Sequence, residues 1–238
     1  MIKSAKTALD SRGIDDGMLI EQYHKLNFPL LADKLKSLFP AERTAAARVL
    51  ANYKTGECAL ILSQALISES KLYSKIAISE SLGELGIISL KFLLPLLGKI
   101  GTNQHKTIPD DKFRKKSFPL PRDIISRTIT KIGDEALDPL EEFILKEDDS
   151  SVSEALDAYG FIIFYGNTKR DSSFLIKLFE KKQNLLIKWK IIRALESFDD
   201  TETINFLKAV LGDPGFKVLH NEAERSLTQI KRIKEKNI

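Results

Sequence analysis

Apolar residues recur along this chain at spacings of three and four, the period of helices with one buried face. The pattern predicts helices over 59–68, 71–85, 88–99, 122–132, 136–146, 151–165, 173–182, 185–198, 203–211 and 216–231. Ahead of them, Met18, Leu19, Ile20 and Tyr23 make one apolar face, and Leu30, Leu31, Leu35 and Leu38 a second. A third runs through Ala46, Val49, Leu50 and Tyr53, with Pro40 suited to that helix's first turn. Residues 1–15 read as a loosely attached lead-in with a short helix over 2–9, and residues 232–238 as a polar tail. Only 12 Gly and 8 Pro, with Leu, Ile, Ala, Lys and Glu dominating, favour helix over strand, so the expected class is all-α.

The predicted helices come in pairs. Each second helix carries an apolar anchor, Leu50, Leu82, Ile129, Leu156, Leu195 and Leu227, and the anchors are 32, 47, 27, 39 and 32 residues apart. Ile78-Ser79, Leu82, Leu85-Gly86 and Leu90 match Ile125-Ser126, Ile129, Ile132-Gly133 and Leu137 at a constant offset of 47. In both copies the glycine follows the last turn of a helix, where a left-handed C-cap favours a residue without a side chain. A lone pair of helices this short leaves an apolar stripe uncovered, so neighbouring pairs must stack. One domain is therefore expected over 16–231, built from about six pairs. The long interval holds residues 101–121, rich in turn formers and without helical period, which read as a loop inserted between two helices of one pair and projecting from an edge of the stack.

These residues resemble HEAT repeats, in particular the short PBS-lyase HEAT-like kind. Asp213-Pro214 followed by Val218, Ala223 and Leu227 carries the likeness, with Leu82–Gly86 and Thr130–Leu140 as the joints between units. The resemblance covers roughly Leu30 to Ile230 and implies a right-handed α–α superhelix. Its motif identifies a fold, not an activity. Most units lack the Asp-Pro turn and the arginine usual early in the second helix.

Composition narrows the function classes. The chain has 238 residues, a formal net charge of +4 and a single cysteine, Cys58, which excludes an internal disulfide framework and suits a reducing, cytoplasmic setting. The apolar run Ile87–Ile100 is broken by Lys91, Pro95 and Lys99 and is too short to span a bilayer. No membrane association is expected. His24, His105 and His220 fall in different units, and no HExxH, GxxxxGK[ST] or GxGxxG is present. No catalytic group, metal site or cofactor is expected. The acidic pairs Asp148-Asp149 and Asp199-Asp200 sit where helix caps belong.

Three features carry a functional expectation. The basic half of the insertion, Lys112, Phe113, Arg114, Lys115, Lys116, Phe118 and Arg122, would grip phosphates or an acidic partner, or else form a solvated loop pinned by its two phenylalanines. Cations of the second helices, among them Arg127, Lys188, Lys190 and Arg193, would make a stripe, although Glu154, Asp157, Glu196 and Glu222 are interleaved with them. The aromatic run Phe161–Tyr165 and Trp189 read chiefly as core. The leading expectation is a non-enzymatic scaffold presenting a helical surface to another protein. Nucleic-acid backbone binding is the second, and a lyase-like or chaperone-like role on a protein-bound chromophore, suggested by the repeat family alone, is the third.

Overall fold

The structure is a computed structural model, and it describes residues 8–9, 11–14, 17–109, 117–166 and 168–236. The described residues are helical, with no strand among them. The chain divides into two compact units, Met1–Pro95 and Leu96–Ile238.

In the first unit the helices are α1 (Met18–Tyr23), α2 (Phe28–Lys34), α3 (Pro40–Leu50), α4 (Gly56–Ser68), α5 (Leu72–Glu84) and α6 (Ile87–Leu93). Helices α1 and α2 both rest on α3, α3 lies against α5, and α4 packs on α5 and α6. Small residues allow the closest of these approaches: Ala45, Ala46 and Ala47 on α3 and Ala77 on α5 are fully buried. The α2 start is set by Asn27, whose side chain accepts from the Leu30 N–H, with Pro29 in the first turn. Thr55 caps α4 in the same way. Residues 11–14, expected to be loose, are docked. The Gly13 carbonyl accepts from the buried Thr44 hydroxyl at 2.6 Å, the Arg12 carbonyl accepts from the Tyr73 N–H at 3.0 Å, and the Arg12 guanidinium lies over the Tyr73 ring.

The second unit contains α7 (Ile124–Ile132), α8 (Leu137–Lys146), α9 (Asp149–Tyr165), α10 (Ser173–Lys181), α11 (Leu185–Leu195), α12 (Thr201–Gly212) and α13 (His220–Lys236). Here the order is regular. Helices α7, α9, α11 and α13 pack side by side in sequence, while α8, α10 and α12 pair with α9, α11 and α13. Each pair therefore buries an apolar stripe against its own partner and against the next pair. The anchors Leu50, Leu82, Ile129, Leu156 and Leu195 are all fully buried, and Leu227, on the last helix, is half-buried. Hydroxyl groups add bonds from one second helix to the next: Ser126 donates to the Glu154 carbonyl at 2.7 Å, Ser197 to Gly160 at 2.9 Å, and Ser226 to Ile192 at 3.0 Å.

The two copies of the offset-47 match share a backbone conformation. Gly86 has φ 62° and ψ −142°, Gly133 φ 78° and ψ −147°. Both positions need positive φ as expected, but ψ lies in the mirror-image extended region instead of the left-handed helical one, so the restriction to glycine is stronger.

The last helix runs to Lys236 where a polar tail was expected, because Lys, Arg and Glu are good helix formers and Lys231 and Glu235 face one another one turn apart. Its start is later than the apolar pattern implied. Pro214–Leu219 is a tight 3-10 turn in which Phe216 leaves helical geometry, and Asp213 accepts from the Gly215 N–H to hold it.

Candidate functional site

Of the ten residues singled out from sequence as partner contacts, Lys112, Phe113, Arg114, Lys115 and Lys116 lie outside the described residues. The structure gives each of the other five an intramolecular task. Phe118 is a core residue. It is buried, its ring packs against Phe161 and Phe164 at centroid distances of 6.3 and 5.7 Å, and its carbonyl accepts from the Tyr165 hydroxyl. Arg122 donates to the Asn103 side chain at 3.0 Å, and beside it Gln104 bridges the Ile100 carbonyl and the Asp123 carboxylate at 2.9 and 2.8 Å. The two ends of the insertion are thus tied together at its neck. Arg127, exposed on α7, donates to the Pro121 carbonyl. The described parts of the insertion lie back on the second helices instead of projecting: His105 rests on Trp189 and Phe118 on Gly160.

Lys190 and Arg193 belong to a buried ladder of charge across α9, α11 and α13. Residues 151–160 of α9 are buried without interruption, Glu154 and Asp157 included, so those carboxyl groups must find partners inside the fold. The Lys190 ammonium bonds to Asp157 and lies 3.8 Å from Glu154. One turn on, Arg193 donates to Glu222 at 3.1 Å and stacks its guanidinium 3.8 Å from the centre of the Trp189 ring. Arg225 donates to the same Glu222 oxygen at 2.9 Å and pairs with Glu196.

The ladder holds more carboxyl groups than cations, and its titration reflects that. Burial pushes Glu154 up to about 7 despite the Lys190 ammonium, and does the same to Glu196 despite Arg225. Glu222, facing two guanidinium groups, is held below the ordinary carboxylate range although burial acts the other way. His105 covers this face edge-on to Trp189 at 5.2 Å, and burial, followed by the Lys190 charge, lowers it to about 4. The ladder is an internal fastening of the stack. Among the described residues no group of three or more His, Cys, Asp or Glu is arranged to hold a metal ion.

The acidic pairs act as the sequence implied. Asp148 accepts from the Ser150 and Ser151 N–H groups and Asp200 from Thr203. Cys58 is fully buried and donates its thiol to the Leu50 carbonyl, and burial pushes it up to about 11, which keeps it protonated and unreactive at neutral pH.

Unclaimed surface is found elsewhere. Sixteen large hydrophobic side chains are exposed among the described residues, and eleven of them precede Pro95. The most exposed adjoin: Leu38 at 91% and Phe39 at 68%, in the turn between α2 and α3. That turn is held fast. The Phe39 N–H donates to the Ser37 hydroxyl at 3.1 Å, and Arg43 donates one N–H to the Ser37 carbonyl at 2.7 Å. Two more Arg43 donors form a fork with the buried Glu69 at 2.7 and 2.9 Å. On either side of α2 lies a shallow groove, one lined by Leu26, Leu30 and Glu42, the other by Leu35, Ile61 and Ala65, with Lys36 common to both. Sequence could not single out this turn, because Leu38 stands at helical spacing from Leu35 and reads as core.

No protein-family model matches the chain, and no curated protein matches it in sequence. No described helix is long and apolar enough to cross a membrane.

Proposed function

We propose that the chain is a HEAT-like stack of helix pairs with right-handed superhelical sense, and that it works as a non-enzymatic scaffold for another protein. The observation that carries the reading is the Leu38–Phe39 turn, two adjacent apolar side chains largely exposed to solvent on a backbone fixed by Arg43. A monomer gains nothing by exposing adjacent large hydrophobics, whereas a partner that covers them gains their burial. Rigidity adds to that gain, since a preordered turn loses little entropy on binding. The ordered succession of pairs in the second unit supports the fold part of the reading, as does the shared backbone geometry of Gly86 and Gly133.

Nucleic-acid binding is the weaker reading, because Lys190 and Arg193 place their charges inside the ladder. Binding to a random duplex or single strand that falls steeply with salt would restore it.

A photo-crosslinking side chain placed at Phe39, with a control at exposed Lys208 in the second unit, tests the proposal in whole cells. A protein captured from Phe39 alone, and bound at least tenfold more weakly by the purified Leu38→Ser/Phe39→Ser variant, supports it. Identical adducts from both positions, or a purified partner indifferent to the double substitution, would overturn it.

A further inference from the structure

Lys188 is a second-helix cation that the ladder does not use. It lies on α11 but points the other way, into a pocket of about 360 Å³ between α10, α12 and the Pro214–Leu219 turn. The walls are Phe179, Phe206, Phe216, Ala209 and Val210. The lysine is 8% exposed, and its ammonium sits 4.5 Å from the centre of the Phe179 ring and 4.8 Å from that of Phe216. Among the described residues no carboxylate or carbonyl pairs with it; the two ring faces are its company. Aromatic faces compensate only part of what an ammonium loses on leaving water, and they satisfy none of its three N–H donors in the way an oxygen does.

We infer that this pocket is a binding site for a small apolar carboxylate, whose anionic head pairs with the Lys188 ammonium and whose hydrocarbon or aromatic body lies against Phe179, Phe206 and Phe216. The cleft is open to solvent, and its volume lies near the lower end of the range for small-molecule sites. The lining joins one nearly buried cation to five apolar side chains. Two acidic residues, Glu180 and Asp213, also line the pocket. Glu180 is exposed, and the Asp213 carboxylate is engaged in accepting from the Gly215 N–H at 2.8 Å. Both are solvent-exposed, so their repulsion of an anion is screened more than the attraction of the nearly buried Lys188 ammonium. The inference is independent of the scaffold reading, for the Leu38–Phe39 turn belongs to the other unit.

Titration of the full chain with three ligands of one shape, 3-phenylpropanoate, its amide, and the matching trimethylammonium compound, decides the matter by calorimetry or ligand-observed NMR. The carboxylate is expected to bind with a Kd below about 1 mM, the amide at least tenfold more weakly, and the cation more weakly still. In Lys188→Met, which keeps the apolar stem, the carboxylate should lose at least tenfold and the amide little. Equal affinities for carboxylate and amide would reduce the site to an apolar cleft, tighter binding of the cation would make it an aromatic cage for ammonium groups, and no binding would leave it without a guest; each result overturns the assignment. Because the three ligands are compared on the unaltered protein, the conclusion stands even if the lysine variant does not fold.

Discussion

Gly160 lies in the middle of α9, where glycine costs a helix about 1 kcal/mol relative to alanine. The reason it is there is steric. A Cβ at this position would stand 2.6 Å from the Phe118 ring and 3.0 Å from both the Cα and Cβ of Ala194 on α11. The ring could tilt, but the Ala194 backbone cannot withdraw without moving α11. Crowding of that kind costs roughly 1–3 kcal/mol, which outweighs the gain in helix propensity. Gly160→Ala is therefore expected to lower the urea midpoint, and an unchanged or higher midpoint would show that the contact between α9 and α11 has slack. Gly133 makes an instructive contrast. Nothing lies within 4 Å of its would-be Cβ, so Gly133→Ala acts through backbone strain alone, on the order of 1–3 kcal/mol. Gly160→Ala should couple to Phe118→Leu in a double-mutant cycle, and Gly133→Ala should not. From sequence, Gly133 was legible as a special backbone position through its match to Gly86. Gly160 was not, because a close approach between helices is set by residues far apart in the chain.

At the scale of elements, the ladder across α9, α11 and α13 makes a prediction about pH. Glu154 and Glu196 have folded pKa values near 7 against an ordinary 4.5, so between those limits the folded chain holds protons that the unfolded chain has released. Their contribution is full below pH 4.5, is lost as the pH rises through 7, and changes no further above it. Glu154 faces Lys190, Asp157 and Asp123, and Glu196 faces Arg225, Glu222 and Arg193. His105 acts in the opposite sense, gaining stability for the fold as the pH rises from about 4 to 6.5. Two carboxyl groups against one imidazole leave a net decline, uncompensated from 6.5 to 7. Glu196→Gln mimics the protonated group and should flatten this decline, making the variant more stable than its parent at pH 8 by roughly 1–3 kcal/mol. Denaturant midpoints at pH 5, 6, 7 and 8 test this, and parallel profiles for the two proteins would refute it. Interleaved acids and bases were visible in the sequence, and so were the caps at Asp148 and Asp200, since both follow from local spacing. The burial of the ladder was hidden, because Lys190 and Asp157, or Arg193 and Glu222, are partners 33 and 29 residues apart. Their withdrawal from solvent also depends on where the insertion lies. A loop without helical period gives no sign that His105 and Phe118 will seat on Trp189 and Gly160.

For the molecule as a whole, the consequence of a serial arrangement is that stability should be local. In the second unit α7 touches α9, α9 touches α11 and α11 touches α13, while α8, α10 and α12 pack mainly on their own partners, with α10 also meeting α12. If stability is a sum over pairs and their shared faces, an injury to one face should spread to its neighbours and fade beyond them. Arg193→Ala tests this with least ambiguity. It removes the bond from α11 to Glu222 on α13 and the stacking on Trp189, and it leaves the Lys190–Asp157 bond from α11 to α9 in place. Leaving a buried carboxylate with one fewer partner costs about 3–5 kcal/mol in a dry interior; here Arg225 still faces Glu222, so a smaller loss is expected. Amide hydrogen exchange should then quicken most over 201–236, less over 149–165, and not at all over 18–93, the helices of the first unit. Equal quickening throughout would mean that the two compact units unfold as one cooperative body, and the description of this chain as an additive series of helix pairs would have to be given up.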